Sequence, residues 1–227
     1  MKIKFLGTGA ADWAPDRQDH GDEYRGNASA LINDTILIDP GPTVPAALKK
    51  FGIPPESIKY VINTHRHKDH FNEDTLAFLE SKGARFVEID DEATLDTVKI
   101  TAMTGHHRVP TKHYLFDDGE HKIYYALDSA WLLYDEVQLI IDKAPVDLIV
   151  LDCTVGHQDG DYRIFEHNNI NMVIEMKKTL KEHIKSFYIS HVSCGLHDDH
   201  DVICRDLEPY GIDVAYDGLE VECKMQN

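Results

Sequence analysis

The 227-residue chain predicts an α/β fold in which two β-sheets are sandwiched between outer helices. Three observations predict it. Short apolar runs bounded by turn residues alternate with amphipathic stretches along the whole length. No repeat, low-complexity tract or linker divides the chain. Polar residues suited to one site come from both halves, so the halves must face each other across a single cleft, which argues for one domain over residues 1–227.

Taken in order, strands are expected over 2–6, 28–32 and 35–38, the last closed by Asp39, Pro40 and Gly41 as turn formers. A helix over 44–51 leads to a strand over 60–63 and a second helix over 72–82. Strands then follow over 85–89, 99–103, 114–116 and 123–127, with a helix over 131–143 and a strand over 147–151. The helix over 168–182 carries Met172, Met176 and Leu180 in a four-residue rhythm that continues to Ile184, which reads as a core-facing stripe. A strand over 187–190, a helix over 202–210 and strands over 214–216 and 219–222 complete the series.

The formal charge of −17 bears on partners. Such a field repels polyanions, and no stripe of Lys and Arg is present to release counterions from a nucleic-acid backbone, so nucleic acid is disfavoured as a partner. A small anionic ester is not disfavoured, because cations inside a pocket dominate the local field. No apolar stretch approaches the roughly 20 residues needed to cross a bilayer, and the first residues read as a strand, not a signal peptide, so a cytoplasmic location is expected and no membrane partner. Cys153, Cys194, Cys204 and Cys223 have no C-x-x-C spacing, which leaves reduced thiols as the simplest expectation.

The most informative residues follow the apolar run at 58–63. His65, His67, Asp69 and His70 fall within one short window. Imidazoles and a carboxylate so crowded are costly to bury unpaired, whereas a divalent cation consumes their lone pairs and their charge. His65 and His67, two apart, project to one side of an extended segment and can share one cation; Asp69 and His70, past the turn, can reach a second, as in two-metal hydrolytic sites.

This H-x-H-x-D-H string resembles the signature of the metallo-β-lactamase superfamily, and the likeness extends along nearly the whole chain. It implies an αββα sandwich of two mixed sheets flanked by helices, and it makes demands on other segments. Asp39, in the turn after the strand over 35–38, would orient a ligand imidazole through its other ring nitrogen. A third imidazole is demanded of the His106 and His107 pair, with His107 preferred for its spacing to Tyr114. Asp128, after the run at 122–127, would bridge two cations, unless it is a helix N-cap. His191 would close the ligand set of His65, His67, Asp69, His70, His107, Asp128 and itself, all nitrogen and oxygen, which suits Zn or Mn, with Fe a third choice.

The opening residues 1–11, with Pro15 to Arg17 and Arg25 to Ser29, resemble the phosphodiesterase branch, which includes tRNase Z and the cyclic phosphodiesterase of the carbon–phosphorus lyase pathway. Residues 147–153, His167 and 214–219 are similar to the second. Two departures stand out: a polar loop at 12–26 replaces a cysteine-rich insertion, and no RNA-clamping arm is evident. The resemblance implies a metal-dependent hydrolase of a small phosphodiester, cyclic esters included, in which a water activated between two cations attacks phosphorus, Asp69 hydrogen-bonds that water and His167 protonates the leaving oxygen. A thioester, lactone or β-lactam hydrolase on the same centre is the alternative, followed by a metal-binding module without turnover. Homodimerisation is expected only by analogy with relatives. Asp152 is a candidate for orienting a ligand, His197 and His200 read as solvated acidic loop, and His20 is a candidate lid residue.

Overall fold

The computed structural model describes residues 1–13 and 23–224, and the strands among them sort into sheets of six and seven. The first contains β1 (Lys2–Gly7), β2 (Ser29–Ile32), β3 (Ile36–Ile38), β4 (Tyr60–Ile62), β5 (Arg85–Phe86) and β13 (Glu220–Glu222), ordered β13, β1, β2, β3, β4, β5. The second contains β6 (Glu92–Leu95), β7 (Val98–Thr104), β8 (Lys112–Asp117), β9 (Lys122–Ala126), β10 (Val146–Asp152), β11 (Ile184–Ser190) and β12 (Ile212–Val214), running β12, β11, β10, β9, β8, β7, β6. Both are mixed: β3, β4 and β5 are parallel, as are β9 to β12, and the remaining pairs are antiparallel.

Strand periodicity builds the layers. In β3, Ile36 and Ile38 face the second sheet while Leu37 faces outward; in β10, Leu148 and Val150 face inward while Ile149 and Leu151 face outward. Every residue of β10 is buried, as expected of a parallel strand covered on both faces. The inner core joins Ile3, Phe5 and Ile62 to Phe116, Tyr125 and Val150. Helices α1 (Val44–Lys50) and α2 (Glu73–Ser81) cover the outer face of the first sheet through Val44, Leu48 and Leu79. On the opposite side α3 (Tyr134–Asp142), α4 (Ile170–Leu180) and α5 (His200–Leu207) cover the second through Ile140, Val173, Met176, Leu180, Ile203 and Leu207. The architecture is therefore αββα.

Several boundaries differ from those expected. The helix over 131–143 begins only at Tyr134, because Trp131 has φ +64° and Leu133 is extended. Asp128 is thus no helix cap. The strand β6 was hidden by the acidic run around it; it pairs with β7 through a turn at Asp96, φ +51°. The last helix starts earlier, at His200, and gives way to a 3₁₀ turn at Pro209, which has no N–H to continue the α pattern. His20 and the stretch from Pro15 to Arg17 lie outside the described residues. Among the described residues no helix is long and apolar enough to cross a membrane.

Parallel strands put their C-terminal ends on one edge. Asp39 and the 63–70 loop follow β3 and β4, while Asp128, Asp152 and His191 come from the ends of β9, β10 and β11. The bridge between Gly9 and Val192 ties the two sheets together beside these ends.

Candidate metal centre

Backbone strain marks this edge. Asp39, Asp128 and His191 adopt φ of +62°, +55° and +59°, a left-handed conformation that costs a non-glycine residue about 1–2 kcal/mol. Such cost is tolerated where the side chain must be aimed. Gly41 serves the same end, since a Cβ there would sit 2.2 Å from the Asp69 carbonyl oxygen. Only glycine lets the 63–70 loop approach this closely.

Two clusters of donor atoms result. His65, His67, His107 and Asp128 present atoms all within 4.8 Å of one another, and so do Asp69, His70 and His191. Asp128 belongs to the first and reaches toward the second. Its Oδ1 lies 3.8 Å from His65 Nε2 and 3.8 Å from His107 Nε2, whereas its Oδ2 lies 2.9 Å from His70 Nε2 and 3.3 Å from His191 Nε2. The β4 strand ends at Ile62, so His65 and His67 sit on the loop beyond it, their Nε2 and Nδ1 atoms 2.9 Å apart.

Surrounding groups fix which nitrogen faces inward. Asp39 is fully buried and accepts from Thr64 N–H (2.6 Å), Thr64 Oγ1 (2.8 Å), Asn63 Nδ2 (2.8 Å) and His70 Nδ1 (2.8 Å). His107 Nδ1 donates to the Glu166 carbonyl at 3.0 Å, and His191 Nδ1 lies 2.7 Å from Thr154 Oγ1 and 3.3 Å from Asp152. A ring nitrogen that donates outward leaves the other with a lone pair. The inward nitrogens then confront one another, His107 Nε2 at 3.3 Å from His67 Nδ1 and His70 Nε2 at 3.2 Å from His191 Nε2. Asp128 Oδ2 is buried without an aligned hydrogen bond, despite its closeness to His70.

Lone pairs facing lone pairs across a buried carboxylate are unfavourable unless positive charge lies among them. The residues therefore fit divalent cations, and their nitrogen and oxygen donors suit Zn or Mn. Electrostatics agree. Burial pushes His65 down to about 2 and lowers His67 and His107, keeping them neutral ligands. Burial opposes charge on His191 as well, yet Asp128, Asp152 and Asp69 raise it to about 10; Asp128, Asp69 and Asp39 likewise raise His70. Against their own burial, Asp128 and Asp69 are held below the usual carboxylate range by these imidazoles. The carboxylates thus demand positive charge at the second cluster, from protons or from a cation.

His167 lies outside these two clusters but shares further groups of donor atoms, one with Asp128, Asp152 and His191 and one with His107 and Glu166. Its Nδ1 is 3.0 Å from Asp152 Oδ2, and its ring stacks on His191 with centroids 5.5 Å apart. Asp152 also accepts from the backbone N–H of Asn168 (2.9 Å), Thr154 (3.1 Å) and Asp128 (3.2 Å), so its oxygens are occupied in aiming others. Burial opposes protonation of His167 but Asp152 wins and raises it. His106 is exposed, its Nδ1 on the Ala130 carbonyl. The solvated-loop reading of His197 and His200 does not hold: His197 Nε2 donates to the Cys153 carbonyl at 2.6 Å, and His200 Nδ1 meets the buried Arg25 at 2.8 Å. His197 ties its loop to the segment after β10, and His200 ties the start of α5 to Arg25.

A cavity of about 470 Å³ opens over the clusters, walled in part by Lys68, Arg108 and Arg163. Glu166 shares it, its carboxylate 3.4 Å from Arg108 Nε. Thr154, Thr64, Glu166 and the wall cations escaped the sequence reading. Only the Thr154 position, two after a strand-end Asp, offered any local signal.

The metallo-β-lactamase superfamily matches the sequence over residues 24–73. Comparison with curated proteins gives no sequence match. Among solved structures, a diphosphatase from the PhnP family shares 20% identity over 99% of this chain and 98% of its own, with a TM-score of 0.75. The short form of human tRNase Z shares 16% over 99% and 100% (TM-score 0.72), and Zn²⁺-bound PqqB from Methylobacterium extorquens 15% over 98% and 100% (TM-score 0.74). At such identities these likenesses show the fold, a metallo-β-lactamase-type αββα sandwich, while the family match itself covers residues 24–73.

Proposed function

We propose that this protein is a metal-dependent hydrolase that cleaves a small anionic phosphodiester at a two-cation centre. The observation that carries it is Asp128, whose two carboxylate oxygens each face a separate cluster of inward nitrogens. His65, His67, His107 and Asp128 would hold one cation, and Asp69, His70 and His191, with Asp128 Oδ2 beside the last two, the other. Two such cations, when bound, supply positive charge to phosphoryl oxygens and lower the pKa of a water from about 15.7 to about 7.

The chain's own residues do the rest. Asp69, on the cavity wall, accepts a hydrogen bond from the attacking water and orients it. His167, held by Asp152 through Nδ1 and raised in pKa, keeps a proton on Nε2 for the leaving oxygen. Lys68, Arg108 and Arg163 line the mouth, Arg108 beside Glu166 and Arg163 paired with Asp161, and their donors could turn to an anionic group, which favours an anionic substrate over a neutral lactone or thioester. Two fold neighbours, a diphosphatase and a tRNase Z, support the same reading. The test is a side-by-side assay of bis(p-nitrophenyl) phosphate and a neutral lactone with zinc- and manganese-loaded protein. Faster turnover of the lactone would reassign the substrate class.

A further inference from the structure

Behind the cation clusters lies a buried polar pair that the proposed chemistry does not use. His113, on β8, and Glu136, in the first turn of α3, are both fully excluded from solvent, and His113 Nδ1 meets Glu136 Oε1 at 2.5 Å. Glu136 also accepts from the Tyr124 hydroxyl (2.8 Å) and from Leu133 N–H (2.7 Å), so its carboxylate anchors α3 and β9 together. The other ring nitrogen, His113 Nε2, lies 3.1 Å from the Leu127 carbonyl; a carbonyl only accepts, so Nε2 carries hydrogen.

The placement of that ring matters. Leu127 directly precedes Asp128. Gly105 packs against the same end of the ring, where an added Cβ would come within 2.6 Å of His113 Nε2, and Gly105 leads through His106 to His107. The two turns are also laced to each other, His106 N–H to Ser129 Oγ at 2.9 Å and Ala130 N–H to the His106 carbonyl at 3.1 Å. One imidazole is therefore wedged between the turn that carries His107 and the turn that carries Asp128. A buried ionisable pair is a costly way to fill a core that leucine and methionine fill well, which points to a task other than stability.

We propose that His113 and Glu136 are positioning residues that set the separation of the His107 and Asp128 turns, and thereby the affinity of the cation position formed by His65, His67, His107 and Asp128. The inference rests on the two-cation reading above. The position formed by Asp69, His70 and His191 shares only Asp128 with that wedge and depends on it less. Groups that orient ligands without touching the metal typically contribute 10–100-fold in affinity, and about 10-fold is expected here.

The test is titration of the intact, chelator-treated chain with Zn²⁺, followed by calorimetry, and with Co²⁺, followed by its absorption spectrum. Wild type is compared with Glu136→Gln and with the double variant His113→Leu/Glu136→Met, which removes the pair but keeps apolar volume. The proposal expects two ions in wild type and, in both variants, a loss of about 10-fold at one position and a smaller loss at the other, with an altered cobalt spectrum and a near-native circular dichroism spectrum. Unchanged binding at both positions, or equal loss at both, overturns it. Should the double variant not fold, Glu136→Gln decides by the same criteria. Wild type that binds no cation removes the two-cation reading and this inference with it, whereas two ions bound in the variants with wild-type affinities overturn the inference alone.

Discussion

Replacing Asp39 by Asn probes how the second cluster is aimed. Asp39 tolerates φ +62°, as Asn also does, so the substitution adds little backbone strain. What changes is hydrogen bonding. The Asn amide oxygen can still accept from Thr64 N–H and Asn63 Nδ2, which lie on Oδ1 at 2.6 Å and 2.8 Å, but its NH₂ then faces Thr64 Oγ1 and His70 Nδ1, both 2.8 Å from Oδ2. A donor opposite Nδ1 forces His70 into the tautomer with hydrogen on Nε2, the nitrogen turned toward His191 and Asp128. The lone pair meant for the cation disappears. The expected loss is about 10–100-fold in affinity at that position. Stability of the metal-free protein should fall by about 1–3 kcal/mol, for one imperfectly paired buried group. Zn²⁺ titration by calorimetry reads the first and urea unfolding the second. Wild-type affinity in a folded Asp39→Asn variant would refute the tautomer argument.

Four further outcomes follow from the same geometry. Because His191 is raised to about 10 from 6.5, and His70 is raised too, the metal-free cluster holds protons at neutral pH; Zn²⁺ uptake should release them and tighten as pH rises toward 10, measurable as buffer-dependent binding heat. The same raised pKa stabilises the metal-free fold fully below pH 6.5, and that contribution is lost as pH climbs through about 10, so metal-free melting temperature should fall over this window while the loaded protein changes less. His167→Ala should cut turnover of an alkyl phosphodiester roughly 10²–10⁴-fold and that of a p-nitrophenyl ester far less, since a good leaving group needs no proton; equal effects on both would remove the acid role. Arg108→Ala should raise KM for anionic esters by about 10-fold, an effect that shrinks in high salt because the side chain is 69% exposed; a KM unaffected by salt or substitution would place the substrate elsewhere.

Which parts of this centre were legible before any coordinates depended on how local their signals are. His65, His67, Asp69 and His70 are crowded in sequence, and that crowding alone is improbable without a cation. Asp128 and His191 could be picked out because each closes an apolar run, and parallel β9 and β11 turn that shared position into spatial neighbourhood. His107 was separable from His106 only by spacing, and the structure now brings His107 to the cluster while His106 faces out. By contrast, Thr154 beside His191, the Glu166 carbonyl on His107 and the His113 wedge are relations between distant segments, with no periodicity or motif of their own. The start of α3 differs because the turn ahead of it is held in a loop by Ala130 N–H on the His106 carbonyl and Trp131 N–H on Asn168 Oδ1, a tertiary effect that outweighs propensity. His197 looked solvated for a similar reason, its acidic neighbours masking a ring turned onto the Cys153 carbonyl.

Metal content addresses the central claim most directly. Protein purified without chelators and examined by plasma emission should contain two divalent ions per chain, with Asp128→Asn holding fewer and wild type losing phosphodiester turnover when the ions are stripped. A content near zero, or two ions retained undiminished in Asp128→Asn, would contradict the account.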